Sequence, residues 1–119
     1  KLSKEEIALN LAYTGTIKSD VLDETEIAYN LLKYLISEHR ENVINRYNLN
    51  TQVIEKILAD ETLQENEKIV EVMNYIGEKR GAVLKGNRID LEKVSKIILD
   101  DFRSGNLGKI TLEKAFLNN

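Results

Sequence analysis

Apolar side chains recur along this chain at three- and four-residue spacing, the repeat of one face of an α-helix. The longest such run is Ile27, Ala28, Leu31, Leu32, Leu35 and Ile36, a broad face over about four turns. Asp23, with Glu26 three residues on, is a start signal for it. A short acidic side chain there can accept from the unpaired N–H groups of a first helical turn. The pattern breaks at His39–Arg40. Val43, Ile44 and Tyr47 predict a short helix closed by the turn Asn48-Leu49-Asn50, and Asn50 can cap the next, which carries Val53, Ile54, Ile57 and Leu58. Residues 60–67 are polar and acidic and predict a loop running into a helix start. Ile69, Val70, Val72, Met73 and Ile76 fill that helix, which should end at Gly77 or Gly81. Upstream, Ser3 and Glu6 have capping-box spacing. They predict a helix from near Lys4, through Ile7, Ala8, Leu11 and Ala12, to Gly15.

Past Gly81, residues 82–89 hold the turn signal Gly86-Asn87 between Val83-Leu84 and Ile89. A small hairpin fits this stretch, and a plain helix–helix connection is the simpler expectation. Asp90 is a credible N-cap. Leu91, Val94, Ile97, Ile98 and Phe102 then follow at helical spacing, and Gly105 is placed to be the left-handed residue that closes the helix. Leu107, Ile110 and Leu112 are apolar enough to dock before a tail. Glycine and asparagine provide all the punctuation, since there is no proline. The expected fold is all-α, a compact bundle of about six or seven short helices in one domain over residues 1–119.

Composition narrows the class. With 119 residues, 42% of them hydrophobic and 31% charged, the chain can bury one core. No apolar run approaches the roughly 20 residues a bilayer span needs. The absence of cysteine excludes disulfides and thiolate metal sites and suits a cytoplasmic protein. The chain opens on Lys1, and its one methionine is Met73, which suggests a piece of a longer protein.

Charge is segregated. Residues 1–78 carry 15 acidic and 8 basic side chains, a net −7. Residues 79–119 carry 5 acidic and 9 basic, a net +4. The basic side chains ride on two glycine-punctuated turns and the helix between them. Lys79 and Arg80 end one helix, Lys85 and Arg88 lie in the turn, Lys93 and Lys96 share a face of the next helix, and Arg103 and Lys109 bracket Gly105 and Gly108. Cations at fixed spacing suit a polyphosphate partner, and each phosphate they neutralise releases counterions. Gly77, Gly81, Gly86, Gly105 and Gly108 could let backbone amides approach a phosphate closely. Plainer roles exist for several of these cations. Lys79 and Arg80 complement a helix C-terminus, and Asp100 is well spaced to pair with Arg103. Tyr75, Phe102 and Phe116 are few for base stacking, so contact with RNA backbone and shape is the better expectation.

Other chemistry is scarce. A GxxxxGK(S/T) phosphate loop is absent, as is a closely spaced glycine triplet. His39 is the single histidine and sits at a helix end, where a cation is favoured electrostatically. Asp100 and Asp101 are adjacent, so on a helix they point about 100° apart and make a poor acid–base pair.

Three blocks also carry a family likeness. They are Leu11-Ala12-Tyr13-Thr14-Gly15-Thr16-Ile17-Lys18, Ile76-Gly77-Glu78-Lys79-Arg80-Gly81, and the run from Asp101-Phe102-Arg103-Ser104-Gly105 through Asn106-Leu107-Gly108-Lys109-Ile110 to Thr111-Leu112-Glu113. In this order they resemble the C-terminal domain of the ribosome biogenesis GTPase A family, the YlqF type of circularly permuted GTPases. The resemblance implies a helical domain, similar to the RNA-binding ANTAR fold in residues 63–119, that follows an N-terminal GTPase domain, and the charge split leads to the expectation that the acidic half, residues 1–62, packs toward that domain. It implies contact with large-subunit ribosomal RNA during late subunit assembly. GTP and Mg²⁺ would belong to the GTPase domain, so no cofactor and no catalytic residue is expected in this chain. The family's basic turn falls on Lys79 and Arg80, and its Phe-Arg-Ser-Gly-x-Leu-Gly segment on Phe102 to Gly108. Glu78 and Asn106 stand where relatives commonly carry Arg or Lys, which lowers the positive charge. The alternative is a helical protein–protein interaction module. It would leave the apolar face of residues 24–36 or of 91–102 partly open to a partner helix.

Overall fold

A computed structural model describes residues 23–110. The helix expected from Lys4, the block Leu11–Lys18, and Leu112 and Phe116 lie outside the described residues. Those described form five helices: α1 (Glu24–Glu38), α2 (Arg40–Tyr47), α3 (Thr51–Ala59), α4 (Glu65–Arg80) and α5 (Leu91–Arg103).

The capping chemistry explains their boundaries. Asp23 accepts from the Thr25 N–H at 2.7 Å and starts α1. Asn50 accepts from Gln52 and Val53 at 2.8 and 3.2 Å and starts α3. The Glu67 side chain accepts from the Gln64 N–H at 2.9 Å as α4 begins. Asp90 accepts from the Lys93 N–H at 3.1 Å and starts α5. At the other ends, Asn48 and Gly81 adopt left-handed φ of 52° and 69°, and Gly105 does so at 79° one residue past the cap of α5. That conformation lets the chain turn back and bond the last carbonyls. Ala82 N–H reaches the Gly77 carbonyl at 2.9 Å, and Asn106 N–H reaches that of Asp101 at 2.9 Å.

α1 is the central element. Its six buried apolar residues, Ile27 through Ile36, face α5, α2 and α4. Val72, Met73 and Ile76 of α4 and Val94, Ile98 and Leu99 of α5 complete the core. The apolar face of residues 24–36 is therefore closed. That of 91–102 is closed at its centre and half-buried at Leu91, Ile97 and Phe102. The face of residues 24–36 therefore offers no open stripe to a partner helix.

The segment between α4 and α5 is a small hairpin, not the plain connection expected. Val83 and Ile89 form an antiparallel bridge, Leu84 N–H reaches the Arg88 carbonyl at 2.7 Å, and Asp90 N–H reaches the Ala82 carbonyl at 2.8 Å. Gly86 and Asn87 at its tip both hold positive φ, the conformation tight hairpins favour.

Gly77 does not end its helix. It lies inside α4, and a Cβ there would stand 2.5 Å from Ile89 Cγ2 and 2.9 Å from Val94 Cγ2. A bare backbone at this point seats the hairpin and α5 on α4. Alanine is the better helix former by about 1 kcal/mol, but two β-branched side chains cannot swing away from the added methyl. Overpacking should win, so Gly77→Ala is expected to destabilise the fold by about 1–3 kcal/mol in urea denaturation.

Candidate nucleic-acid interface

The eight cations singled out in the sequence, Lys79, Arg80, Lys85, Arg88, Lys93, Lys96, Arg103 and Lys109, are all exposed. Five of them share one corner of the molecule. Lys79 and Arg80 close α4, Lys85 and Arg88 occupy the hairpin, and Lys93 opens α5. The contact of Gly77 with Ile89 and Val94 draws these three elements together. Helical geometry carries the row along α5, because Lys93, Lys96 and Arg103 fall on the face opposite the buried Val94 and Ile98. Glu92 and Asp100 interrupt that face, so it is mixed rather than uniformly basic. Lys109 lies on the segment after α5, beside Gly108. Among the described residues, Lys85, Arg88, Lys93 and Lys96 form no ion pair.

Arg80 is held rather than loose. One of its terminal nitrogens donates to the Arg46 carbonyl at 3.1 Å, and its guanidinium lies 5.1 Å from the centre of the Tyr47 ring. Lys79 sits in the same way 5.9 Å from the ring centre of Tyr75, whose hydroxyl accepts from the Asn50 N–H at 2.9 Å. The aromatic rings here brace cations.

The brace rests on a buried carboxylate. Asp101 is 6% exposed and accepts from three side chains. Arg46 Nη2 donates to Oδ1 at 2.8 Å, the Tyr47 hydroxyl to Oδ2 at 2.8 Å, and Asn106 Nδ2 to Oδ1 at 3.1 Å. Burial pushes the Asp101 carboxyl upward, but the bonds from Arg46, Tyr47 and Asn106 outweigh it and hold it below its ordinary value. Burial and the bond to Asp101 together push the Tyr47 phenol well above its own. Asn106 is thus a partner of Asp101. Neither Arg46 nor Asp101 figured among the expected site residues. Local spacing carries no sign of their pairing, since 55 residues separate them.

The glycines serve the chain's own geometry. The amides of Gly81, Gly105 and Gly108 donate to the carbonyls of Glu78, Phe102 and Gly105. At Gly108, with φ of 93°, a Cβ would stand 2.6 Å from Asn42 Nδ2, and that nitrogen donates to the Leu107 carbonyl at 2.8 Å. The bare glycine thereby lets α2 grip the segment after α5. His39 joins α1 to α2, with Nε2 lying 3.3 Å from the Tyr34 hydroxyl. Among the described residues, no group of three or more His, Asp or Glu could hold a metal ion. No helix of that part is long and apolar enough to cross a membrane.

No protein-family profile matches the chain. It is 34% identical over 113 residues to ribosome biogenesis GTPase A of Bacillus cereus. It is 30% identical over 113 residues to that of Priestia megaterium and 30% over 114 residues to that of Bacillus pumilus. These alignments take in 95%, 95% and 96% of the chain but 34%, 35% and 36% of the relatives. The chain thus spans about a third of the length of the curated relatives it matches.

The Asp101 network sets a pH window. A carboxyl lowered in the fold contributes stability above its unfolded pKa near 3.9 and loses it as pH falls through the folded value. A phenol raised in the fold contributes below its unfolded pKa near 10 and loses that contribution as pH rises beyond. Thermal midpoints should therefore plateau between these limits and fall on either side. Asp101→Asn is expected to cost about 2–3 kcal/mol at neutral pH and to flatten the acid limb. An unchanged acid limb in that variant would assign the limb to other carboxylates.

Proposed function

Because the chain belongs with the ribosome biogenesis GTPase A proteins, as a domain about a third of their length, we propose that it is the part of such a GTPase that contacts ribosomal RNA. On this reading it assists late assembly of the large ribosomal subunit in the cytoplasm. GTP and Mg²⁺ are handled by a GTPase domain outside the chain. Residues 63–119 form the ANTAR-like half that meets RNA, and the acidic residues 1–62 face the GTPase domain. That arrangement would couple nucleotide state to ribosome engagement.

One observation carries the RNA reading: all eight cations between residues 79 and 109 are exposed, and five of them gather where α4, the hairpin and α5 meet. The docking is electrostatic and shape-based. Arg80, fixed on Tyr47, presents its remaining donors to a backbone phosphate at small ordering cost, since the fold has already restricted its side chain. Lys85 and Arg88 extend from the hairpin tip. Base reading has little to work with, because Tyr47 and Tyr75 are occupied by cations and Phe102 is packed against the core.

Lys79, Arg80 and Arg103 changed together to Glu should weaken binding to the immature large subunit by at least about tenfold near physiological salt. Filter binding measures this directly. Unchanged affinity would remove the cluster from the interface.

A further inference from the structure

The net-negative stretch of residues 1–78 holds a second set of cations that line one cleft. A cleft of about 320 Å³ opens where the end of α1, the start of α2, the end of α3 and the start of α4 meet. Lys33, Arg40 and Lys68 line it from three different helices, with the Ser37 hydroxyl and the Glu65 carboxylate. The buried Ile36 and Ile69 also contribute to its wall. Its volume is at the low end of the range for small-molecule sites, about 300–1,000 Å³.

Three positive charges against one negative leave the cleft with a surplus of two. Like charges brought together on a folded surface repel, so this grouping costs the fold stability unless an anion joins it. Packing does not require it: the side chains that close the core beneath are Ile36 and Ile69. Arg40 is partly fixed, because its Nε donates to the Ile36 carbonyl at 3.1 Å and its terminal nitrogens extend beyond that bond. Glu65 is shared with Tyr29, whose phenol is raised first by burial and then by the Glu65 charge. One guanidinium fork, two ammonium groups and a hydroxyl match a doubly charged tetrahedral oxyanion better than a single carboxylate.

We propose that the cleft bounded by Lys33, Ser37, Arg40 and Lys68 binds a phosphate group. The site is distinct from the basic corner. Lys68 and Arg80 lie at opposite ends of α4, about 18 Å apart along its axis. The same chemistry is offered by a free phosphate or pyrophosphate and by a phosphate of an RNA backbone. The site does not depend on the RNA role of residues 79–109.

Two titrations test it, on the protein and on a variant carrying Lys33→Gln, Arg40→Gln and Lys68→Gln. First, inorganic pyrophosphate is added at low salt while amide NMR shifts are followed. Saturable shifts confined to residues 33–40 and 65–69, weakened at least about tenfold in the variant, establish the site and assign it to a free phosphate group. Second, affinity for the immature large ribosomal subunit is measured. A loss of at least about fivefold in the variant, without a saturable pyrophosphate response, establishes the site and assigns it to RNA backbone. No difference between protein and variant in either titration overturns the proposal. So do shifts spread evenly over every basic segment, which would mark unspecific screening. The charge reversal of Lys79, Arg80 and Arg103 leaves the pyrophosphate response intact if the two sites are separate. Should the triple variant lose its thermal transition, Lys68→Gln alone repeats both titrations with the same criteria.

Discussion

A single buried carboxylate ties the described part of this protein together. Asp101, near the end of α5, receives Arg46 and Tyr47 from the end of α2 and Asn106 from the turn that follows α5. Removing a carboxylate from water is costly, and three donors, one of them charged, offset that cost. Both oxygens are engaged, so the geometry admits little slack. α2 is short, only eight residues, and buries just Val43 and Tyr47. Its position is secured by polar anchors to a greater degree than that of α1, which has six apolar residues in the core. Asn42 adds a second anchor to the same segment through the Leu107 carbonyl.

The anchor has a consequence for charge. Arg46 is paired with Asp101, while its own carbonyl and the neighbouring Tyr47 ring hold Arg80. One guanidinium supports the frame, and the other is presented by it. Among the described residues, Lys85 and Arg88 form no ion pair. Lys85 and Arg88 sit on a hairpin whose Val83 and Leu84 are each 45% exposed, an apolar and basic projection beyond the core. The fold thus sorts its positive charge into a braced pair at the end of α4 and a projecting pair on the hairpin. An exposed array of this kind suits an extended polyanion, whereas the cleft between Lys33 and Lys68 suits a single anionic group.

Much of the architecture was legible in the residues because it is local. Caps at Asp23, Asn50 and Asp90 and the left-handed Gly105 follow from side chains within a few positions of each other. The break at His39 was readable in the same way. What escaped is long-range. Gly77 looks like a helix stop in one dimension, and only the approach of Ile89 and Val94 shows why a glycine sits inside α4. Asp101 read only as one of two adjacent carboxylates that make a poor acid–base pair, because its partner Arg46 lies 55 residues away. The cleft cations come from α1, α2 and α4 within a stretch whose net charge is negative, so composition concealed them. The hairpin was half-visible: Gly86-Asn87 marked its tip, but the pairing of Val83 with Ile89 is too short to leave an alternating pattern.

The salt dependence of binding to large-subunit ribosomal RNA tests the central claim most directly. If exposed cations on an Asp101-locked frame meet RNA backbone, the logarithm of the association constant should fall linearly with the logarithm of salt, by about 0.7–0.9 per phosphate engaged. Several contacts would then lower affinity at least about tenfold between roughly 50 and 200 mM salt. An affinity that stays level across that range would contradict the account and point to an apolar interface instead.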